Sequence, residues 1–235
     1  MRLSTFAISM RASVVMMGAL LLAGYAAGQQ SARSHAAYSG DLVSALEFIS
    51  TTFHLPIIAE LPKSYPAHVL LPGGEDTAEQ LLNALTGQAP GYTWVSQDSV
   101  VLFYNSQLHY SAGNFFNAKI ATFVMPADVA ELKLELNGLM GSAPGTAPVM
   151  AGAPEKQLQK TKLHQGEVLN NITGRDVLVE AARQSNNLFS VILFPTADPK
   201  TEEDANQAHM NWYVRSIDEL PHNPTRLRSI PEEVR

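Results

Sequence analysis

Apolar residues along this chain switch between two periods, and the switches mark its elements. Leu42, Ala45, Leu46, Ile49 and Phe53 recur at steps of three and four, which predicts a helix over 41–53 with one apolar stripe. Asp41 or Ser39 can cap its start, and Pro56 forces a stop near His54. Short apolar runs at 55–59 and 68–71 predict strands, with the two prolines of LPKSYP at 61–66 as the turn between them. A second helix is expected over 77–87. Thr77 and Gln80 have capping-box spacing, Leu81, Leu82 and Leu85 point inward, and Gly87 is the expected end. Residues 92–96 and 100–104 then predict a hairpin about Gln97-Asp98-Ser99.

The rest of the chain repeats the theme more loosely. Residues 105–114 read as a polar linker. A strand is predicted at 118–124, and Pro126 is expected to start a helix carrying Val129, Leu132, Leu136 and Leu139 to about 140. Residues 141–157 are rich in Gly, Ala and Pro and predict a loop. A strand over 163–169 and a helix over 174–186 follow. Thr173 caps that helix, and Val177, Leu178, Ala181 and Ala182 face inward. Residues 188–194 and 211–217 predict two more strands around an acidic loop at 195–208, and 218–235 reads as an irregular tail. The fold class expected is α+β, as two small sheet-plus-helices units at 39–104 and 115–217. In the first, the stripes of 42–53 and 77–85 cover one side of a sheet.

The first 28 residues differ from the rest. Arg2 and Arg11 precede the apolar run 14–23, and Ala26-Ala27-Gly28 offers small residues for a peptidase. This predicts a signal peptide cleaved after Gly28, with translation starting at Met1 or Met10. The alternative is an uncleaved anchor, the one circumstance in which membrane contact is expected. Cleavage would move the formal charge from −6 to −8, since the segment holds two Arg and no acid. A mildly acidic chain without clustered Lys and Arg is not expected to bind nucleic acid. Cysteine is absent, which excludes disulfides, thiolate metal sites and cysteine nucleophiles.

With these elements in place, residues 39–104 resemble the short N-terminal (STN) domain shared by secretins and TonB-dependent receptors. The resemblance rests on LVSALEFI at 42–49, LPIIA at 55–59, HVLLPG at 68–73, TAEQLLNALTG at 77–87 and YTWVSQDSVVLFY at 92–104. The second unit is similar, through VLNNITGRDVLVEAARQSNNLFSVI at 168–192, to related secretin N-terminal modules. The two prolines of 61–68 depart from the family's tighter connection. These 235 residues hold neither a secretin pore nor an outer-membrane barrel, so the resemblance implies a stand-alone periplasmic module that binds partner proteins or packs against its own kind.

Signatures of chemistry are sparse. The seven histidines (35, 54, 68, 109, 164, 209 and 222) show no metal-ligand spacing, and structural roles are expected. Neither a nucleophile elbow nor a phosphate loop occurs. Glu75 and Asp76 would repel phosphate from the helix that follows Gly73-Gly74. Acid pairs at 75/76, 202–204 and 232/233 read as solvated. No cofactor and no metal is expected.

Aromatic residues are the candidate contact groups: Tyr92, Trp94 and Tyr104 on the first hairpin and Trp212 in the second unit, where Trp and Tyr would serve as interface anchors if exposed and as core if not. The function expected is therefore an exported, periplasmic or secreted interaction module of the cell envelope without catalysis. Its partners would be envelope proteins, or a second copy, bound through sheet edges. Two alternatives stand beside it: a small exported hydrolase with a non-standard Ser/His/acid site, drawing on residues such as His164 and Asp176, and a signal-anchored structural envelope protein.

Overall fold

The helix stripes and strand runs settle around one mixed sheet. A computed structural model of the chain describes residues 31–111, 114–142, 161–194 and 211–221. The expected signal peptide 1–28, the acidic loop 195–208, and most of the 141–157 loop and of the tail lie outside these residues.

Five strands form the central sheet, in the order β11 (Asn211–Ser216), β10 (Leu188–Phe194), β3 (Ile57–Pro62), β7 (Val100–Asn105) and β6 (Tyr92–Gln97). The three middle strands run parallel, and each edge strand is antiparallel to its neighbour. Helices α1 (Leu42–Phe53) and α2 (Ala78–Gln88) cover one face. Their Leu42, Leu46, Ile49, Leu81, Leu82 and Leu85 meet Ile57, Ala59, Val101 and Phe103 from the sheet. The other face, bearing Ile58, Val100, Leu102 and Ile192, is covered by α4 (Val129–Ser142), α5 (Gly174–Ser185), a short 3-10 turn (Phe115–Asn117) and the ribbon β8 (Lys119–Val124) with β9 (Val168–Thr173).

The α+β class is observed, and the stripes of 42–53 and 77–85 do lie on one side of a shared sheet. The division into two sheet units is corrected. β10, from the second stretch, inserts beside β3 and pairs with it in parallel from Phe189↔Ile57 to Phe194↔Pro62. The physical reason is two-sided burial. Ile57 to Leu61 are all buried, as is every residue of β10, so each needs cover on both faces and neighbours on both edges. Described residues from Ala32 onward belong to one compact unit.

Local caps explain most of the helix limits. Asp41 accepts the Ser44 N–H at the start of α1, and His54 closes that helix in the left-handed region at φ 49°. Full capping boxes form at Thr77/Gln80 and Thr173/Asp176. Helix α2 passes through Gly87 and ends at Gln88. Helix α4 begins at Val129, not at Pro126, because the Asp128 carboxylate accepts the N–H groups of Ala130 and Glu131. Ahead of α1 lie β1 (Arg33–His35) and β2 (Tyr38–Gly40), which pair with β5 (Gly74–Asp76) and β4 (Val69–Leu71). The linker forms the single-turn helix α3 (Ser106–His109). At the start of the expected tail, residues 217–219 form a 3-10 turn that buries Ile217, and Leu220 is buried beside it.

Candidate functional site

Among the described residues, strand β6 pairs with another strand on one side only. Its hairpin with β7 closes through Asp98 and Ser99, both in the left-handed region (φ 51° and 69°), so the loop is two residues long. At the other end Ser106 donates its N–H to Gly91 O at 2.9 Å. Hydrogen-bonded and non-hydrogen-bonded pairs alternate along an antiparallel ladder. Thr93, Val95 and Gln97 therefore bond inward to β7. Trp94 and Ser96 aim their N–H and C=O groups outward, where no other strand pairs with them among the described residues. Tyr92 turns its N–H back to Ala89 O.

Native sheets blunt such edges with charges, proline, bulges or a covering segment. The six residues of β6, YTWVSQ, contain neither a charge nor a proline. The opposite edge differs. β11 carries Arg215, which pairs with Glu47 of α1 at 3.2 Å.

The four aromatic candidates separate. Tyr92 and Trp94 sit half-buried on the α2 side of the free edge. Tyr92 stacks on Phe103 at 5.8 Å, and burial pushes its hydroxyl up to about 12. The Trp94 indole donates to Asn83 Oδ1 at 3.0 Å. Tyr104 and Trp212 are interior, which corrects their assignment as contact groups. Trp212 is buried because its N–H finds Ser190 Oγ at 2.7 Å and its ring meets Phe116 edge-on. Tyr104 stacks on His109 at 3.8 Å, and burial, with help from Tyr110, raises its hydroxyl to about 12.

One polar cluster was not expected from the sequence. Glu60 on β3 is 2% exposed and faces the α5 layer. Its carboxylate receives Arg175 Nε and Nη2, the latter at 2.9 Å, together with Asn114 Nδ2 at 3.0 Å and His109 Nδ1 at 3.2 Å. Arg175 also donates to Asn117 Oδ1 at 2.7 Å. Burial alone would raise the Glu60 carboxyl. The hydrogen bonds from His109 and Arg175, with the guanidinium charge, outweigh it and hold the group below the usual carboxylate range. Both carboxylate oxygens are engaged, so the cluster fastens β3 to α3, the 3-10 turn and α5. The signal for it was an acid inside the apolar run IIAEL.

Elsewhere the chemistry is dispersed. His164 is exposed and sits 3.8 Å from Glu167, while the Asp176 carboxylate is engaged by Thr173 in the α5 cap. Among the described residues no three His, Asp or Glu side chains gather as a metal-binding group. An open groove of about 690 Å³ runs between β8 and α4, with Phe123, Met125 and Leu139 on its walls beside Glu131 and Glu135. Burial and the Glu131 charge raise the Glu135 carboxyl. Comparison with family models, with curated proteins and with solved structures found no match for this chain.

Proposed function

We propose that the chain is an exported protein-interaction module of the cell envelope, working without catalysis and binding by lending strand β6 to another polypeptide. The observation that carries this reading is the uncharged edge strand with the outward backbone groups of Trp94 and Ser96. Main-chain bonds at such an edge supply affinity, and the half-buried Tyr92 and Trp94 supply an aromatic border. The leader-like residues 1–28 and the resemblance of 39–104 to the STN domain support the cellular setting.

Site-specific photo-crosslinking in the cells that make the protein tests this. A photoreactive residue at Val95 should give adducts in the envelope fraction, and one at the exposed Leu134 of α4 should not. Adding Ser96→Pro should abolish the Val95 adducts, because proline removes an outward donor and leaves the inward ladder intact. Adducts that form equally at both positions, or that survive Ser96→Pro, would contradict the reading.

A further inference from the structure

We propose that the strand taken up by β6 is the β6 of a second copy, paired antiparallel about a two-fold axis through Val95, so that two five-stranded sheets join into one of ten. The proposal rests on the edge-binding reading above and names its partner.

The register follows from which groups face out. Trp94 and Ser96 bond outward, so an isologous antiparallel pairing must set outward residues opposite outward residues. Only axes passing through a residue allow this. An axis between Trp94 and Val95 would set an outward group against an inward one. Two axes keep most of the strand paired, one through Trp94 and one through Val95. The first opposes the two Trp94 side chains, each already fixed on α2 by the bond to Asn83. The second sets Trp94 opposite Ser96 of the second copy, large against small, and brings the two Val95 side chains together as a non-hydrogen-bonded pair. Such pairs hold side chains closest, at a Cα separation of about 4.5 Å. Val95 is 42% exposed, one of the few large apolar side chains left in solvent. This pairing buries it against a β-branched partner.

Charge agrees with the same axis. No ionic side chain lies within β6. The nearest acid, Asp98 at the turn, falls opposite Tyr92 of the second copy, so no like charges meet. A second copy is thus accepted without repulsion at any position of the strand.

The test uses the cysteine-free chain, in which one introduced thiol can form only an intermolecular disulfide. Sedimentation of the wild-type protein should show a concentration-dependent dimer. Val95→Cys should oxidise in air to a disulfide dimer several-fold faster than Ser96→Cys, because only residue 95 meets its own copy within disulfide reach. Val95→Lys sets two ammonium groups face to face and should yield monomer with an unchanged circular dichroism spectrum. So should Ser96→Pro. A protein that stays monomeric at every concentration overturns the proposal, as does a dimer that survives both Val95→Lys and Ser96→Pro. Faster crosslinking at residue 96 than at 95 overturns the axis. If self-pairing fails while Val95 photo-adducts to other polypeptides persist and need Ser96, the edge-binding reading stands and the second copy is the wrong partner.

Discussion

Arg175→Met should lower stability by about 3–5 kcal/mol at neutral pH, the usual cost of removing one member of a buried ion pair. Arg175 supplies two of the bonds received by Glu60, and burial leaves little access for water to replace them. The pH dependence should change sign. In the wild type the folded Glu60 pKa lies below the unfolded value of about 4.3. Its contribution is therefore complete above that value and is lost as the pH falls through the folded one. Without Arg175 burial dominates, the folded pKa rises above the unfolded one, and the penalty relaxes as the pH falls from 7 to 5. Urea denaturation at pH 7 and 5 reads the relaxation in the variant, and denaturation from about pH 5 downward reads the loss in the wild type. Glu60→Leu combined with Arg175→Met should recover most of the loss, since no charge then remains stranded. A single variant within about 0.5 kcal/mol of wild type, a surface-like effect, would show that the cluster is not the fastener described.

Ile192→Ala should cost about 2–5 kcal/mol, the range for emptying a fully buried aliphatic site. The informative part is where that loss is felt. Ile192 lies in β10, whose parallel neighbour β3 comes from the first stretch of the chain. The two tryptophans report the two stretches separately, Trp94 on β6 and Trp212 on β11. Trp94→Phe and Trp212→Phe each leave one reporter. In both backgrounds Ile192→Ala should lower the urea midpoint seen by the remaining tryptophan, because one sheet unfolds as one cooperative body. A shift seen by Trp212 alone would restore the two-unit picture.

How much of this fold was legible follows from the range of each interaction. The caps at Asp41, Thr77 and Thr173 act over three residues, so their helices and inward faces are legible locally, although Ser39 stood beside Asp41 as a first cap and Gly87 does not end α2. The hairpin of β6 and β7 was legible for the same reason. The merging of two expected units into one sheet was not, because it depends on β10 finding β3 across more than a hundred residues. The clue was composition. LFSVILF is apolar at every position but Ser190, as suits a strand covered on both faces, whereas a unit with one covered face would alternate. Three-residue strands such as β1 and β2 carry too few positions to show a period.

The candidate site was legible in part. Tyr92 and Trp94 lie at the free edge, whereas Tyr104 and Trp212 are interior for reasons set by neighbours distant in sequence, His109 and Ser190 among them. Glu60 was overlooked because its partners come from three later elements. An acid within an apolar strand run was nonetheless a visible demand for a buried cation.

Residue-resolved amide hydrogen exchange on β6 shows whether this edge is where the protein binds. In dilute monomer the Trp94 and Ser96 amides should exchange freely while Thr93 and Val95 are protected by β7, and on association the first two should become protected as well. Trp94 and Ser96 amides already protected in the monomer, or unchanged on association, would mean that this edge is not where the protein binds.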